Sequence, residues 1–166
     1  MAVKDILKYP DPILRKQAKA VRKVDSGLRV VIDDMISTMR DAKGLGLAAN
    51  QIGVLQKVLV YDDGTGLGVV INPKIVRTKG EQTGVEGCLS VPTLQGEVKR
   101  SEEIVVKGMD QAGRPVKIKA EGLLAKVLQH EVDHLNGKLF IDRADPETLQ
   151  YVTEEEEPAE GQPAEE

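Results

Sequence analysis

A five-residue run constrains this chain more than any other feature. Its two histidines, His130 and His134, stand four positions apart in the run His130-Glu131-Val132-Asp133-His134. Residues four apart share one face of a helix, so two imidazoles at this spacing can bind one metal ion. Glu131 can act as a general base on a water molecule at that ion. The run therefore predicts a catalytic metal site on a helix.

The helix that carries this run is predicted to be buried. It covers about residues 122–135, and its remaining side chains include the apolar residues Leu123, Leu124, Val127, Leu128 and Leu135. A buried helix holds His, Glu and Asp only where partners stabilise them, because an unpaired buried polar group is costly. A solvated helix face, the simpler reading of a short motif, is therefore disfavoured.

Apolar periodicity predicts a second helix and several strands. Apolar residues recur at helical spacing over residues 26–40, with Ser26 as the N-cap, and a short helix is expected after Asp145-Pro146. The small residues of 44–51 are predicted to form a loop or turn. Short β-branched runs predict strands at 57–61, 67–71, 75–78, 103–109 and 114–119, the last two forming a hairpin around Asp110–Gly113.

Charge divides the 166 residues into two parts. Seven glutamates and no basic residue lie in residues 154–166. We expect a single catalytic domain over 1–153 and a disordered acidic tail over 154–166. The remainder has 20 acidic and 23 basic residues but no basic run, and the chain has only three Tyr and one Phe. This composition argues against direct sequence-specific nucleic-acid binding.

Cysteine content and hydropathy indicate the cellular compartment of the protein. One cysteine cannot form an internal disulfide, so the fold does not require an oxidising compartment. The first residues lack the apolar stretch of a signal peptide, and no apolar run approaches the length of a membrane span. We expect a cytoplasmic protein with no membrane association.

Two histidines leave a hydrolytic metal site one protein ligand short. Cys88, in Glu86-Gly87-Cys88-Leu89-Ser90, is one candidate, and its simpler reading is a small buried core residue. Glu154 is the other candidate, by analogy with zinc endopeptidases that use a glutamate downstream of the second histidine. Ordering the tail to bring Glu154 to the site would be costly, so the thiol is favoured and the glutamate remains the alternative.

A glycine pattern at Gly44, Gly46 and Ala49 matches the dinucleotide-binding sequence Gly-x-Gly-x-x-Gly/Ala. That motif requires a strand before it and a helix after it, whereas here a predicted helix comes first. We therefore reject a nucleotide site. We expect the glycines instead to let a substrate approach the backbone, with Gln51 offering an amide donor.

Three motifs together resemble one known family. Residues 44–51 (GLGLAANQ), 86–90 (EGCLS) and 129–134 (QHEVDH) have the order and spacing of the signature motifs of bacterial peptide deformylases. The resemblance covers about residues 4–143. It implies an α+β fold in which antiparallel β-sheets pack around a central buried helix carrying His-Glu-x-x-His.

The resemblance also implies an active site. One divalent metal, usually Fe²⁺ in the family, would be held by Cys88, His130 and His134. Ni²⁺, Co²⁺ and Zn²⁺ suit the same ligands. Glu131 would be the general acid and base, and two donors would stabilise the oxyanion: the Gln51 amide and the Leu89 backbone N–H.

The implied substrate is the N-formylmethionyl end of a nascent polypeptide, with formate as a product and the ribosome nearby. The substrate is expected to pair with backbone at Leu45, Gly46 and Gly87. An apolar methionine pocket is expected from Leu45, Leu123, Val127 and Val85. Arg100 is expected to support the site by pairing with Glu86 or Asp133. A zinc endopeptidase remains the alternative function.

Overall fold

The computed structural model describes residues 2–152. Within them, two helices, α1 (Ser26–Asp41) and α2 (Gly122–Leu135), accompany eight strands. The strands are β1 (Gly46–Ala48), β2 (Val58–Asp62), β3 (Leu67–Lys79), β4 (Gln82–Cys88), β5 (Val91–Arg100), β6 (Glu103–Met109), β7 (Pro115–Glu121) and β8 (Gln150–Tyr151). Among these residues, no helix combines the length and apolar character needed to cross a membrane.

The strands form two antiparallel sheets. One has the order β1-β2-β3-β6-β7 and the other the order β4-β5-β8. Helix α2 packs on the first sheet through Leu128, which shares a buried apolar cluster with Val70 and Val106. The predicted α+β class, with antiparallel sheets around a buried helix, is confirmed.

Helix α1 forms where the periodicity predicts it, but its N-cap lies one residue earlier. The Asp25 carboxylate accepts a hydrogen bond from the Leu28 backbone N–H at 2.9 Å, so the prediction of Ser26 as N-cap is wrong. A carboxylate at this position satisfies a backbone donor that the helix itself cannot. The buried side of α1 carries the apolar residues Leu28, Ile32, Met35 and Met39.

Strand β3 is longer than predicted. The sequence indicates two strands separated at Asn72-Pro73, whereas a single strand passes through this point with a shift in register between Ile71 and Lys74. Asn72 adopts a φ of 54°, which asparagine tolerates better than most residues. Its side chain accepts from the Val21 N–H at 2.8 Å and donates to the Val21 carbonyl at 2.9 Å. These bonds fix the bulge that keeps the strand continuous.

Other predicted elements hold with small changes. The hairpin of β6 and β7 and the bounds of α2 are confirmed, and the helix expected after Asp145 is a single 3-10 turn at Pro146–Thr148. The prediction of a loop or turn for 44–51 is confirmed for the 3-10 turn Ala49–Ile52 and wrong for Gly46–Ala48, which form β1. The domain limit at 153 and the predicted tail lie outside the described residues.

Candidate metal centre and active site

Three buried side chains from two elements meet at one point. Cys88 ends β4, while His130 and His134 share one face of α2. The Cys88 Sγ lies 3.3 Å from His134 Nε2, which in turn lies 3.3 Å from His130 Nε2. All three potential ligand atoms lie within 4.8 Å of one another, and each residue is at most 1% exposed.

These distances fit a divalent transition-metal ion. With metal–nitrogen distances near 2.0–2.1 Å and a metal–sulfur distance near 2.3 Å, tetrahedral geometry separates two nitrogens by about 3.3 Å and nitrogen from sulfur by about 3.6 Å. The nitrogen atoms of His130 and His134 are 3.3 Å apart. A thiolate and two imidazoles are also the donors that borderline divalent ions prefer. The residues present therefore fit a metal.

Glu86 orients the first of these histidines. Its Oε1 lies 3.0 Å from His130 Nδ1, and both side chains are buried. A carboxylate only accepts hydrogen bonds, so Nδ1 carries the proton and donates to Glu86. The lone pair of His130 is then on Nε2, the atom that faces Cys88 and His134. Such a carboxylate behind a ligating histidine fixes both its tautomer and its ring orientation.

Arg100 joins Glu86 to helix α2. Its Nε and Nη2 donate to the two oxygens of Glu86, each at 2.9 Å, and its Nη1 donates to Asp133 Oδ2 at 2.6 Å. Arg143 adds two further bonds to Asp133, at 2.6 and 2.9 Å. Sequence reasoning left open which carboxylate Arg100 would meet, and in the structure it binds both.

The charges in this cluster stabilise one another. Burial alone would raise the pKa of Glu86, but hydrogen bonds from Arg100 and His130 outweigh it and hold that pKa well below its usual range. Burial likewise opposes the charge on Arg100, whose pKa is nevertheless raised by Glu86 and Asp133. The pKa of Asp133 is lowered, since Arg143 and Arg100 overcome its burial. All three groups are therefore charged at neutral pH.

Gln51 lies beside the cysteine. Its Nε2 donates to Ser90 Oγ at 3.0 Å and approaches Cys88 Sγ at 3.9 Å, while its Oε1 accepts from the Ala48 N–H at 3.0 Å. The Ser90 N–H also points to Cys88 Sγ, at 3.4 Å. The bond from Ala48 sets the rotation of the amide, so the donor end of Gln51 faces Cys88, one of the candidate metal ligands.

Glu131 lies against the backbone of β1. It is fully buried, and a methyl group built on Gly46 would stand 2.7 Å from Glu131 Oε2 and 3.0 Å from Val127 Cγ1. Only glycine lets the strand pass this close. The structure thereby brings together Glu131, Val127 and Gly46, three of the residues that the sequence assigned to catalysis or substrate binding.

The other predicted substrate contacts lie in different environments. Gly87 is buried next to Cys88, Leu45 and Val85 are partly buried, and Leu123 is 38% exposed at the start of α2. Leu89, the predicted oxyanion donor, is also partly buried. The Leu89 side chain lies 3.0 Å from the position of a methyl group built on Gly44. The loop before β1 and the cysteine turn are therefore neighbours.

This arrangement has known counterparts. A family model described as polypeptide deformylase matches residues 3–150. The chain belongs to the polypeptide deformylase family. A peptide deformylase of Syntrophobacter fumaroxidans is 52% identical over 153 residues, covering 89% of this chain and 90% of the relative.

Solved structures of polypeptide deformylases have the same fold. The crystal structure of the Legionella pneumophila enzyme has a TM-score of 0.84 and 49% identity, covering 87% of this chain and 88% of that chain. The Synechococcus elongatus enzyme, crystallised with actinonin, has a TM-score of 0.83 and 45% identity, covering 86% of this chain and 79% of that chain. The resemblance inferred from three motifs is confirmed.

Membership in the polypeptide deformylase family makes the chain a metal-dependent hydrolase. The zinc endopeptidase alternative is not favoured, and its ligand Glu154 lies outside the described residues. Sequence reasoning missed Ser90 as the partner of Gln51 and Arg143 as the second partner of Asp133. The position of Ser90 within the cysteine motif was an available signal, whereas Arg143 stands in no motif.

Proposed function

We propose that the chain removes the formyl group from the N-terminal methionine of nascent polypeptides, releasing formate and a free amino terminus. The observation that carries this proposal is the buried group of Cys88, His130 and His134, with Glu131 on the same helix, in a polypeptide deformylase. The proposed setting is the cytoplasm, close to the ribosome. Access to the formyl group needs no sequence-specific contact with nucleic acid.

We propose Fe²⁺ as the physiological metal, held by the Cys88 thiolate and the imidazoles of His130 and His134. When bound, a divalent ion supplies Lewis-acid polarisation and makes water nucleophilic near neutral pH. The thiolate in place of a carboxylate favours a softer ion than magnesium or calcium, and Fe²⁺ and Zn²⁺ both meet this condition.

Glu131 is the proposed general acid and base. Its carboxylate takes the proton of the attacking water and then gives it to the amine that leaves the formyl carbon. The amide of Gln51 and the backbone N–H of Leu89 donate to the oxygen on which negative charge develops. Each preplaced donor of this kind contributes about 3–4 kcal/mol to transition-state stabilisation.

The substrate backbone is proposed to add to the sheet edges near the metal. Strands β1 and β4 are each the outermost strand of their sheet, so one edge of each has no strand partner among residues 2–152. Leu45 and Gly46 on one side and Gly87 on the other would donate to and accept from an extended peptide. Leu45, Val85, Leu123 and Val127 would contact the methionine side chain.

The decisive experiment measures formate release from formyl-Met-Ala-Ser by protein purified anaerobically and loaded with Fe²⁺. We expect turnover of the formylated peptide and none of acetyl-Met-Ala-Ser, because the proposed site admits only the narrow formyl group. Glu131→Gln should lower turnover by about 10²–10⁴-fold, the range for a lost general base. Metal content of this variant should equal that of the wild type.

The controls separate chemistry from metal binding. Cys88→Ala should lose metal as well as activity, measured by elemental analysis of the same samples. The metal that copurifies under anaerobic conditions tests the assignment of Fe²⁺. Absence of formate release from fully loaded protein would refute the proposed function.

A further inference from the structure

The outer surface of the first sheet carries a row of like charges. Lys107 on β6 is paired with Lys74 on β3 and with Lys117 on β7, so three exposed lysines lie side by side across three strands. Neighbouring strands are about 4.8 Å apart. The three lysine side chains therefore leave the sheet from directly opposite positions on neighbouring strands, about 5 Å apart at their bases.

A second group of cations follows along the same strands. Arg77 and Lys119 are both registered with Val105, and Lys79 is paired with Glu103. We call the exposed residues of both groups the basic face: Lys74, Arg77, Lys79, Lys107, Lys117 and Lys119. Within the part of the chain that the structure describes, none of these six forms a salt bridge.

The basic face lies on the side of the sheet opposite to α2. Alternate residues of the same strands, Ile104, Val106 and Ala120, point inward and pack in one cluster with Leu128 of α2. Side chains alternate between the two faces of a strand, so their neighbours Val105, Lys107 and Lys119 point outward. A groove of about 850 Å³ borders this surface; its lining includes the cations Arg77, Lys79 and Lys119, the acidic residues Glu103 and Glu121, and the inward-facing Ile104 and Ala120. A partner bound here would leave the metal centre accessible.

Folding alone does not account for this arrangement. Like charges directly opposite each other on neighbouring strands destabilise a sheet. Lysines on an edge strand can prevent edge-to-edge aggregation, which accounts for Lys117 and Lys119 on β7. Lys107 lies on β6, between β3 and β7, where that protection is not needed. Three strands of unpaired cations instead match the closely spaced phosphates of a nucleic-acid backbone.

We propose that the basic face binds the phosphate backbone of structured RNA without reading its sequence. The choice of RNA rests on the proposed function, because nascent chains emerge from an RNA-rich particle. The six side chains supply charge, while the described strands of this face present no aromatic residue to stack on bases. Binding is therefore expected to depend strongly on salt.

The test is a salt titration of full-length protein with a fluorescent 20-nucleotide RNA hairpin. The variant Lys74→Gln/Lys107→Gln/Lys117→Gln is compared with Lys16→Gln/Lys23→Gln/Lys138→Gln, which removes the same charge from exposed sites elsewhere. We expect the first variant to weaken binding about tenfold at 100 mM KCl and to reduce the log–log salt slope by about 2. The control should keep most of the wild-type affinity and slope.

Two further measurements complete the test. The thermal midpoint of the first variant should not fall below that of the wild type, since repulsion is relieved, so weaker binding cannot be attributed to unfolding. Formate release by the first variant should equal that of the wild type. If the wild type bound RNA through this face but released no formate, the proposed function would be refuted and the RNA-binding proposal would stand.

Three results would overturn the inference. The first is that both triple variants weaken RNA binding equally. The second is that the wild type does not bind RNA at 50 mM KCl. The third is that the basic face binds 70:30 phosphatidylcholine–phosphatidylserine vesicles but does not bind RNA.

Discussion

At the scale of single residues, Gly46 determines how closely β1 can approach helix α2. The sequence indicates only that a glycine here exposes backbone to a substrate. In the structure its missing side chain also makes room for Glu131, whose Oε2 would stand 2.7 Å from an added methyl group. The position of Glu131, the proposed general base, thus depends on the absence of a side chain at Gly46 on β1.

Gly46→Ala is expected to reduce turnover while leaving the metal bound. The new methyl group must displace Glu131 or β1, and a displacement of about 1 Å from productive geometry can cost about 10²-fold in rate. Overpacking of this kind also destabilises a core by about 1–3 kcal/mol. Formate release and urea denaturation of the same preparations measure both effects.

Gly84→Ala is the matched control, since it also adds a methyl group to a strand glycine. Its nearest neighbour in the structure, Lys126 Nζ, would lie 3.6 Å away, which is ordinary van der Waals contact. Turnover close to that of the wild type is expected. Equal activity of both variants would contradict the tight approach of β1 to Glu131.

At the scale of secondary-structure elements, the start of α1 shows what periodicity can and cannot determine. The apolar repeat locates the helix within one residue at each end. It does not distinguish Asp25 from Ser26 as the N-cap, because both residue types accept hydrogen bonds from the first turn. Only the backbone path, with Asp25 extended at φ −112° and ψ −178°, decides between them.

Asp25→Ala should lower the free energy of unfolding by about 0.5–2 kcal/mol, the usual effect of losing an N-cap. Ser26→Ala, one residue inside the helix, should change the free energy of unfolding by only a few tenths of the effect of Asp25→Ala. Equilibrium denaturation in urea, followed by circular dichroism, measures both. A larger loss in Ser26→Ala would restore the N-cap predicted from the sequence.

The strands were predicted less completely than the helices. Residues 103–109 show a β-branched run and were found, whereas β4 and β5 contain Gly84, Gly87 and Gly96 and lack such a run. Their strand character comes from pairing with each other, as in Gln82 with Arg100. Long-range pairing of this kind is not encoded in local propensity. Sequence alone could single out the three candidate metal ligands because their chemistry is local and rare in this sequence, and the structure brings them together.

At the scale of the whole molecule, a buried ion network joins the second sheet to α2. Glu86 belongs to β4, Arg100 to β5 and Asp133 to α2, and Arg143 follows the helix in the chain. The thiol and the imidazoles of the metal centre come from the same two bodies. We therefore expect the network to set the distance between Cys88 and the two histidines, in addition to orienting His130.

Arg100→Met tests this role. Arg100 is 5% exposed, so its removal leaves Glu86 and Asp133 with less compensation in a buried site, a change that typically costs about 3–5 kcal/mol of stability. Loss of support behind a ligating histidine also weakens metal binding by about 10–100-fold. Metal titration and urea denaturation measure the two effects independently.

Arg15→Met is the matched control. Arg15 pairs with Asp142 near the surface, where the two side chains are 40% and 35% exposed. Exposed pairs contribute about 0–1 kcal/mol, and this one lies outside the network, so metal affinity should stay at the wild-type level. If Arg100→Met lost stability but kept full metal affinity, the network would hold the two bodies together without setting the geometry of the site. If both variants behaved alike, the network would have neither role.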